Sequence, residues 1–161
     1  MTEDAAGSPP APGTFRLAPW TANGLAELTA AGASAQETLQ AALGGILEAV
    51  RGAAQVPPVP AGAEPAAVPI RGDGADLAAL FADLAADLLA QLDANGPDFD
   101  RVRLDGLLPT DEGLTAWGYV LGLPSSAPPP TGLALAGAPT ISQTAGRDVL
   151  RCALRRVGPR P

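Results

Sequence analysis

The sequence predicts an α+β domain: a mostly antiparallel sheet system with two amphipathic helices packed on it. Three observations carry this. Two stretches repeat apolar residues at the helical period, several others alternate apolar with polar residues, and turns rich in Pro and Gly (18 and 19 of 161 residues) separate them. A chain of this length, 47% hydrophobic, suits one core. That core must be built from Leu, Val, Ile and Ala, because aromatic residues make up only 4% of the chain.

Residues 1–13, Pro-rich and acidic, read as a disordered leader, since such a segment buries too little surface to offset the entropy of ordering. A single domain is expected over 14–157, followed by a short disordered tail at 158–161. "TFRLAPW" places Phe15, Leu17 and Pro19 on one side, and after the turn "TANG" the run "LAELTA" alternates again, which predicts a hairpin.

"SAQETLQAALGGILEAVRG" sets Ser34 three residues before Glu37, the pairing in which each side chain can satisfy the other's free N–H at a helix start. Leu39, Ala42, Leu43, Ile46, Leu47 and Val50 then fall on one helical stripe, and Gly52 stops it. Gly44 and Gly45 weaken this helix by roughly 1 kcal/mol each, so close packing or a bend is expected there.

The Pro-rich segment 53–65 reads as a flexible linker, and "AVPIRG" as a short strand that Pro69 confines to an edge or to a ladder-free side. Asp76 is a good N-cap for a second helix carrying Leu77, Leu80, Phe81, Leu84 and Leu88, which "DANGPD" ends. "FDRVRLDGLL" and "GLTAWGYVLG" flank the turn "PTDEG" as a second hairpin. A flexible Pro-rich segment, 123–131, then leads to two last strands, "LALAGAPTIS" and "VLRCALRRV".

Charge narrows the function. The net charge is −7, and no basic residue alternates with an aromatic one along the chain, which argues against a direct nucleic-acid platform. Acids concentrate in residues 73–112, while Arg147, Arg151, Arg155, Arg156 and Arg160 make the C-terminus the one basic region, a candidate surface for RNA or an acidic partner. The single cysteine excludes an internal disulfide. It reads as a small buried hydrophobe, since no His or Lys is present to lower its pKa. With no histidine, a Ser-His-Asp triad is excluded, and neither the GxxxxGK phosphate loop nor the dinucleotide fingerprint occurs, so the chain is expected not to be an enzyme. No stretch approaches the roughly 18 apolar residues of a membrane span, and a cytoplasmic protein is expected.

The order of these elements and several local strings resemble the archease family, small activators of the GTP-dependent RNA-splicing ligase that joins tRNA halves. "WTANGL", "SAQETLQAAL" and "DLAALFADLAADLLAQLDANG" are similar, in the same order, to the family's first turn and two helices, and "FDRVRLDGLL", "GLTAWGYVLG" and "LRCALRRV" to its later strands. The resemblance implies an archease-like fold, a role in tRNA splicing, and a ligase of that kind as a partner.

It also implies a divalent-metal site, held by an aspartate in the first turn and another on the last strand, with a histidine and a lysine nearby. At the matching positions this sequence has Trp20 for the histidine, Thr21 and Ala22 unchanged, Asn23 for the aspartate, and Arg155 or Arg156, one residue apart in register, for the second aspartate. No lysine exists to take the remaining place. A guanidinium about 4 Å from a cation costs about 4 kcal/mol per charge pair at an effective dielectric near 20, so a site of this composition is expected to bind no metal.

These substitutions imply a scaffold without cofactor, acting by protein–protein interaction. Trp20, Thr21, Asn23, Arg155 and Arg156 are its candidate binding residues, with Asn23 donating hydrogen bonds and an arginine standing in for the metal's charge toward a phosphate or carboxylate. Simple turn formation by Asn23-Gly24, with Trp20 packed, is the plainer alternative. A non-catalytic binding module with an unrelated partner is a second reading. An oxygen-ligand metal hydrolase built from Asp and Glu alone is a third. Asp76, Asp83 and Asp87 share one helical face, expected to be solvated, and "TDE" at 110–112 is expected to be an ordinary turn.

Overall fold

The computed structural model describes residues 9–53, 62, 64–125 and 131–157. It has two helices and antiparallel sheets, in the order β1 (Thr14–Leu17), β2 (Leu25–Gly32), α1 (Ala35–Ala53), β3 (Ala66–Gly74), α2 (Leu77–Asn95), β4 (Phe99–Thr110), β5 (Gly113–Gly122), β6 (Leu133–Leu135), β7 (Thr140–Thr144) and β8 (Arg147–Arg156). The α+β expectation holds. One predicted strand divides in two: "LALAGAPTIS" breaks into β6 and β7 because Gly137 adopts φ 89° and Pro139 has no N–H to donate.

The first sheet runs β1-β2-β8-β6, with β7 also paired to β8 beyond β6. The second runs β3-β5-β4. β7 and β8 are joined through Ala145 and Gly146, both at positive φ (53° and 76°), as a two-residue hairpin turn requires. α1 packs on β1, β2 and β8 and reaches β4, while α2 lies along β3 and β5 and touches β6 and β7. The predicted stripes of both helices are buried in one shared core, whose largest side chains are Phe81 and Phe99. Leu77, at the start of α2, is only half-buried.

Local signals act as the sequence suggests. Ser34 Oγ accepts the Glu37 N–H at 3.2 Å, and Glu37 reaches back one residue further than expected, accepting the Ala33 N–H at 2.6 Å. Asp76 caps α2 by accepting the Ala79 N–H at 2.9 Å, and Gly96 ends it. A Cβ at Gly45 would overlap Leu28, so the glycine lets α1 settle onto β2. Gly44 meets only the ring of Phe15, at an ordinary 3.8 Å.

Helix side chains bond to both edges of the second sheet. On β3, which Pro69 was expected to confine to an edge, the outward N–H groups of Arg71 and Asp73 donate to Asp87 and Asp83 of α2, each at 2.8 Å. On β4, the Leu104 N–H donates to Gln40 Oε1 at 2.8 Å, and the Leu104 carbonyl accepts from Gln36 Nε2 at 2.9 Å. Asp83 and Asp87 therefore do not form the purely solvated face expected of them. Helix placement puts them over an unpaired strand edge, where a carboxylate satisfies backbone donors that would otherwise be left to water or to another chain.

At the N-terminal side, contacts begin before the composition-based boundary at residue 14. Within the expected leader, Pro10 is buried and its carbonyl accepts from Arg147 at 2.7 Å, while the Gly13 N–H donates to Ala31. Residues 1–8 and 158–161, and positions 54–61 and 63 of the expected linker, lie outside the described residues, as do 126–130. The flanks of that last segment are tied down: Leu123 and Ser125 donate backbone bonds to Asp98 and Asn95, and the Thr131 N–H donates to Asp93 at 2.6 Å.

Candidate functional site

The turn between β1 and β2 holds itself together. The Thr21 N–H donates to the Leu25 carbonyl at 2.8 Å, the Gly24 N–H donates to the Thr21 carbonyl at 3.0 Å, and Thr21 Oγ1 accepts the Leu25 N–H at 3.2 Å. Gly24, at φ 77°, reverses the chain. Thr21 is thus committed to the turn, and Asn23 is exposed at its tip.

Register decides which arginine meets this turn. β2 pairs with β8 so that Leu25 lies opposite Arg155, and the Arg156 N–H donates to the Gly24 carbonyl at 2.9 Å. Side chains alternate along β8, so Arg156 points to the α1 side with buried Leu154 and Cys152, whereas Arg155 points to the outer face with exposed Arg151. The Arg156 guanidinium lies 4.4 Å from the Trp20 ring centroid, a cation–π contact.

Together they border a cleft of about 550 Å³ lined by Leu17, Trp20, Glu48, Ala49, Arg51, Gly52 and Arg156. Arg51 also pairs with Asp98 at 3.4 Å. Of the five residues proposed from the sequence, Trp20 and Arg156 line this cleft; Thr21, Asn23 and Arg155 do not. Glu48 and Arg51 were missed. Their only sequence signal was their place in the last turns of α1, and nothing local tells that those turns end beside the β1–β2 turn.

The donor set does not fit a divalent cation. The cleft offers one carboxylate, Glu48, beside two guanidiniums, and hard cations need several oxygens of negative charge. Among the described residues, no group of three or more His, Cys, Asp or Glu side chains is placed to hold a metal ion. What the corner can do is present a positive, aromatic-backed surface to an anionic group.

The C-terminal arginines do not share one face. Arg147 is spent on Pro10, Arg151 and Arg155 point outward, Arg156 points inward, and Arg160 lies outside the described residues. Cys152 is buried in the core, and desolvation pushes its thiol up to about 12. Among the described residues, no helix is long and apolar enough to cross a membrane.

The solution structure of Methanobacterium thermoautotrophicum protein 1598, a structural-genomics target of the archease family, is similar to this chain over 89% of its length and 99% of that protein's, with a TM-score of 0.58 and 18% identity. The fold is archease-like. No family model matches the sequence, and no curated protein matches it.

Proposed function

We propose that this archease-like chain is an accessory protein of tRNA splicing that activates, by protein contact, a GTP-dependent RNA-splicing ligase, without catalysis of its own and without the family's metal. The carrying observation is the Arg156–Trp20 contact at the corner where the resemblance places the metal. A fixed guanidinium there keeps positive charge in place of an ion, and the cleft beside it leaves that charge accessible to a partner's acidic group. The archease-like fold supports the reading.

The test combines this protein with purified ligase, GTP, divalent metal and cleaved tRNA. Multiple turnover should rise with the added protein, and Arg156→Asp should remove the rise. Unchanged ligase guanylylation and turnover would remove the activator role and leave a binding module on the same scaffold.

A further inference from the structure

The outer face of the second sheet carries a feature that the sequence hides. β5 is the central strand, and its outward residues Trp117 and Tyr119 are 39% and 36% exposed. Register sets arginines around them from both neighbouring strands: Arg71 of β3 opposite Trp117, Arg103 of β4 opposite Tyr119, and Arg101 of β4 opposite Leu121, one rung further along. A Cβ at Gly106 would run into the six-membered ring of Trp117, so the indole lies across this glycine with one side supported by backbone.

We propose that this face is a stacking platform for single-stranded nucleic acid. Two aromatic rings at positions i and i+2 of a strand stand about 6.8 Å apart, each able to take one base of an extended strand. Arginines one strand away on either side are placed for the flanking phosphates. The absence of alternating basic and aromatic residues along the chain no longer argues against such a platform, because the alternation runs across the strands.

Charge is the countervailing term. Arg71 pairs with Asp73 at 3.6 Å and Arg103 with Asp105 at 3.0 Å, and the whole chain is acidic. Both arginines are well exposed, so these pairs hold them weakly and a phosphate can take over either guanidinium. Arg101 has no ion-pair partner among the described residues. Asp87 keeps its charge while it accepts the Arg71 N–H and lines a hollow with Arg71, Trp117 and Tyr119, so the β4 side, with Arg101 and Arg103, is the more favourable flank for a phosphate. Exposed Trp, Tyr and Arg are also enriched at protein interfaces; what favours an extended single strand here is that the two rings occupy consecutive outward positions of one strand, a spacing that offers each a separate base. The proposal is independent of the ligase reading, which concerns the other sheet.

The test is fluorescence anisotropy of a labelled 12-nucleotide oligouridine at low salt. Saturable binding is expected, with log K falling against log salt at a slope of about −2 for three arginine contacts. Trp117→Ala should weaken it about tenfold, Arg101→Glu with Arg103→Glu should abolish it, and Arg151→Glu on the other sheet should leave it unchanged. Far-UV circular dichroism of each variant checks folding, and the arginine pair decides the matter if Trp117→Ala does not fold. No anisotropy change at about 100 µM protein, the weak end of non-specific affinity, overturns the proposal. So does binding that ignores the arginine changes, or loss of a protein partner on Trp117→Ala without any oligonucleotide binding.

Discussion

Asp87 Oδ2 accepts the backbone N–H of Arg71 at 2.8 Å, so a helix carboxylate terminates the hydrogen-bond ladder of an edge strand. Asp83 does the same for Asp73, while Gln36 and Gln40 bond to the opposite edge. Side chains of both helices thereby meet the edges of the three-stranded sheet at Arg71, Asp73 and Leu104, and a partner could add a strand at these residues only by displacing them.

Asp87→Ala should cost about 0.5–1.5 kcal/mol, the net worth of the hydrogen bond that its half-buried carboxylate accepts from the exposed Arg71 N–H. Asp83→Ala, at a more exposed site, should cost less, and Asp87→Asn should recover most of the loss. Urea denaturation checks the order. An Asp87→Ala protein with the wild-type midpoint would show that the contact contributes nothing.

Adjacent glycines in α1 should respond with opposite signs. Gly44→Ala meets only ordinary contact with Phe15 and should gain about 0.8 kcal/mol from helix propensity. Gly45→Ala drives a methyl into Leu28 and should lose about 1–3 kcal/mol. Thermal unfolding of the two single variants separates them, and equal shifts would show that α1 does not seat on β2 as described.

Cys152 should resist alkylation in the native protein up to strongly alkaline pH. Its thiol is pushed up to about 12 by burial, so the reactive thiolate does not accumulate near the usual thiol range. Native protein and protein in denaturant, treated with the same reagent at pH 8, should differ by orders of magnitude in rate. Fast modification of folded protein would count against the burial.

The Trp20–Arg156 contact should show a coupling of about 0.5–1 kcal/mol in a double-mutant cycle built from Trp20→Ala and Arg156→Ala. Calorimetric titration with Mg²⁺, Mn²⁺ and Ca²⁺ should release no binding heat. A one-site isotherm with any of the three would contradict the reading of this corner as a cationic surface.

Periodicity made both helices legible, because Leu39 to Val50 and Leu80 to Leu88 repeat at the spacing that one buried face requires. Pro69 likewise announced an edge strand. Features that depend on two elements meeting were not legible. Which of two arginines reaches Trp20 is fixed by the β2–β8 register, and a shift of one residue turns a side chain to the other face. Asp83 and Asp87 looked like a solvated stripe because their partners are backbone donors on another element. The arginines around Trp117 were invisible for the same reason: Arg71 lies far upstream in sequence, and Arg101 and Arg103 sit on the other arm of the hairpin.

β8 is the central member of the first sheet, paired with β2 on one side and with β6 and β7 on the other, and it is the last of the described elements. The second sheet and its helix draw only on residues 66–122, so their contacts can close while the chain is still being synthesised. β2, made early, must wait for residues 147–156 to emerge from the ribosome before its inner edge is occupied. A ribosome stalled before residues 147–156 have left its exit tunnel would therefore hold a nascent chain whose second sheet can assemble while its first strands are still open to chaperones.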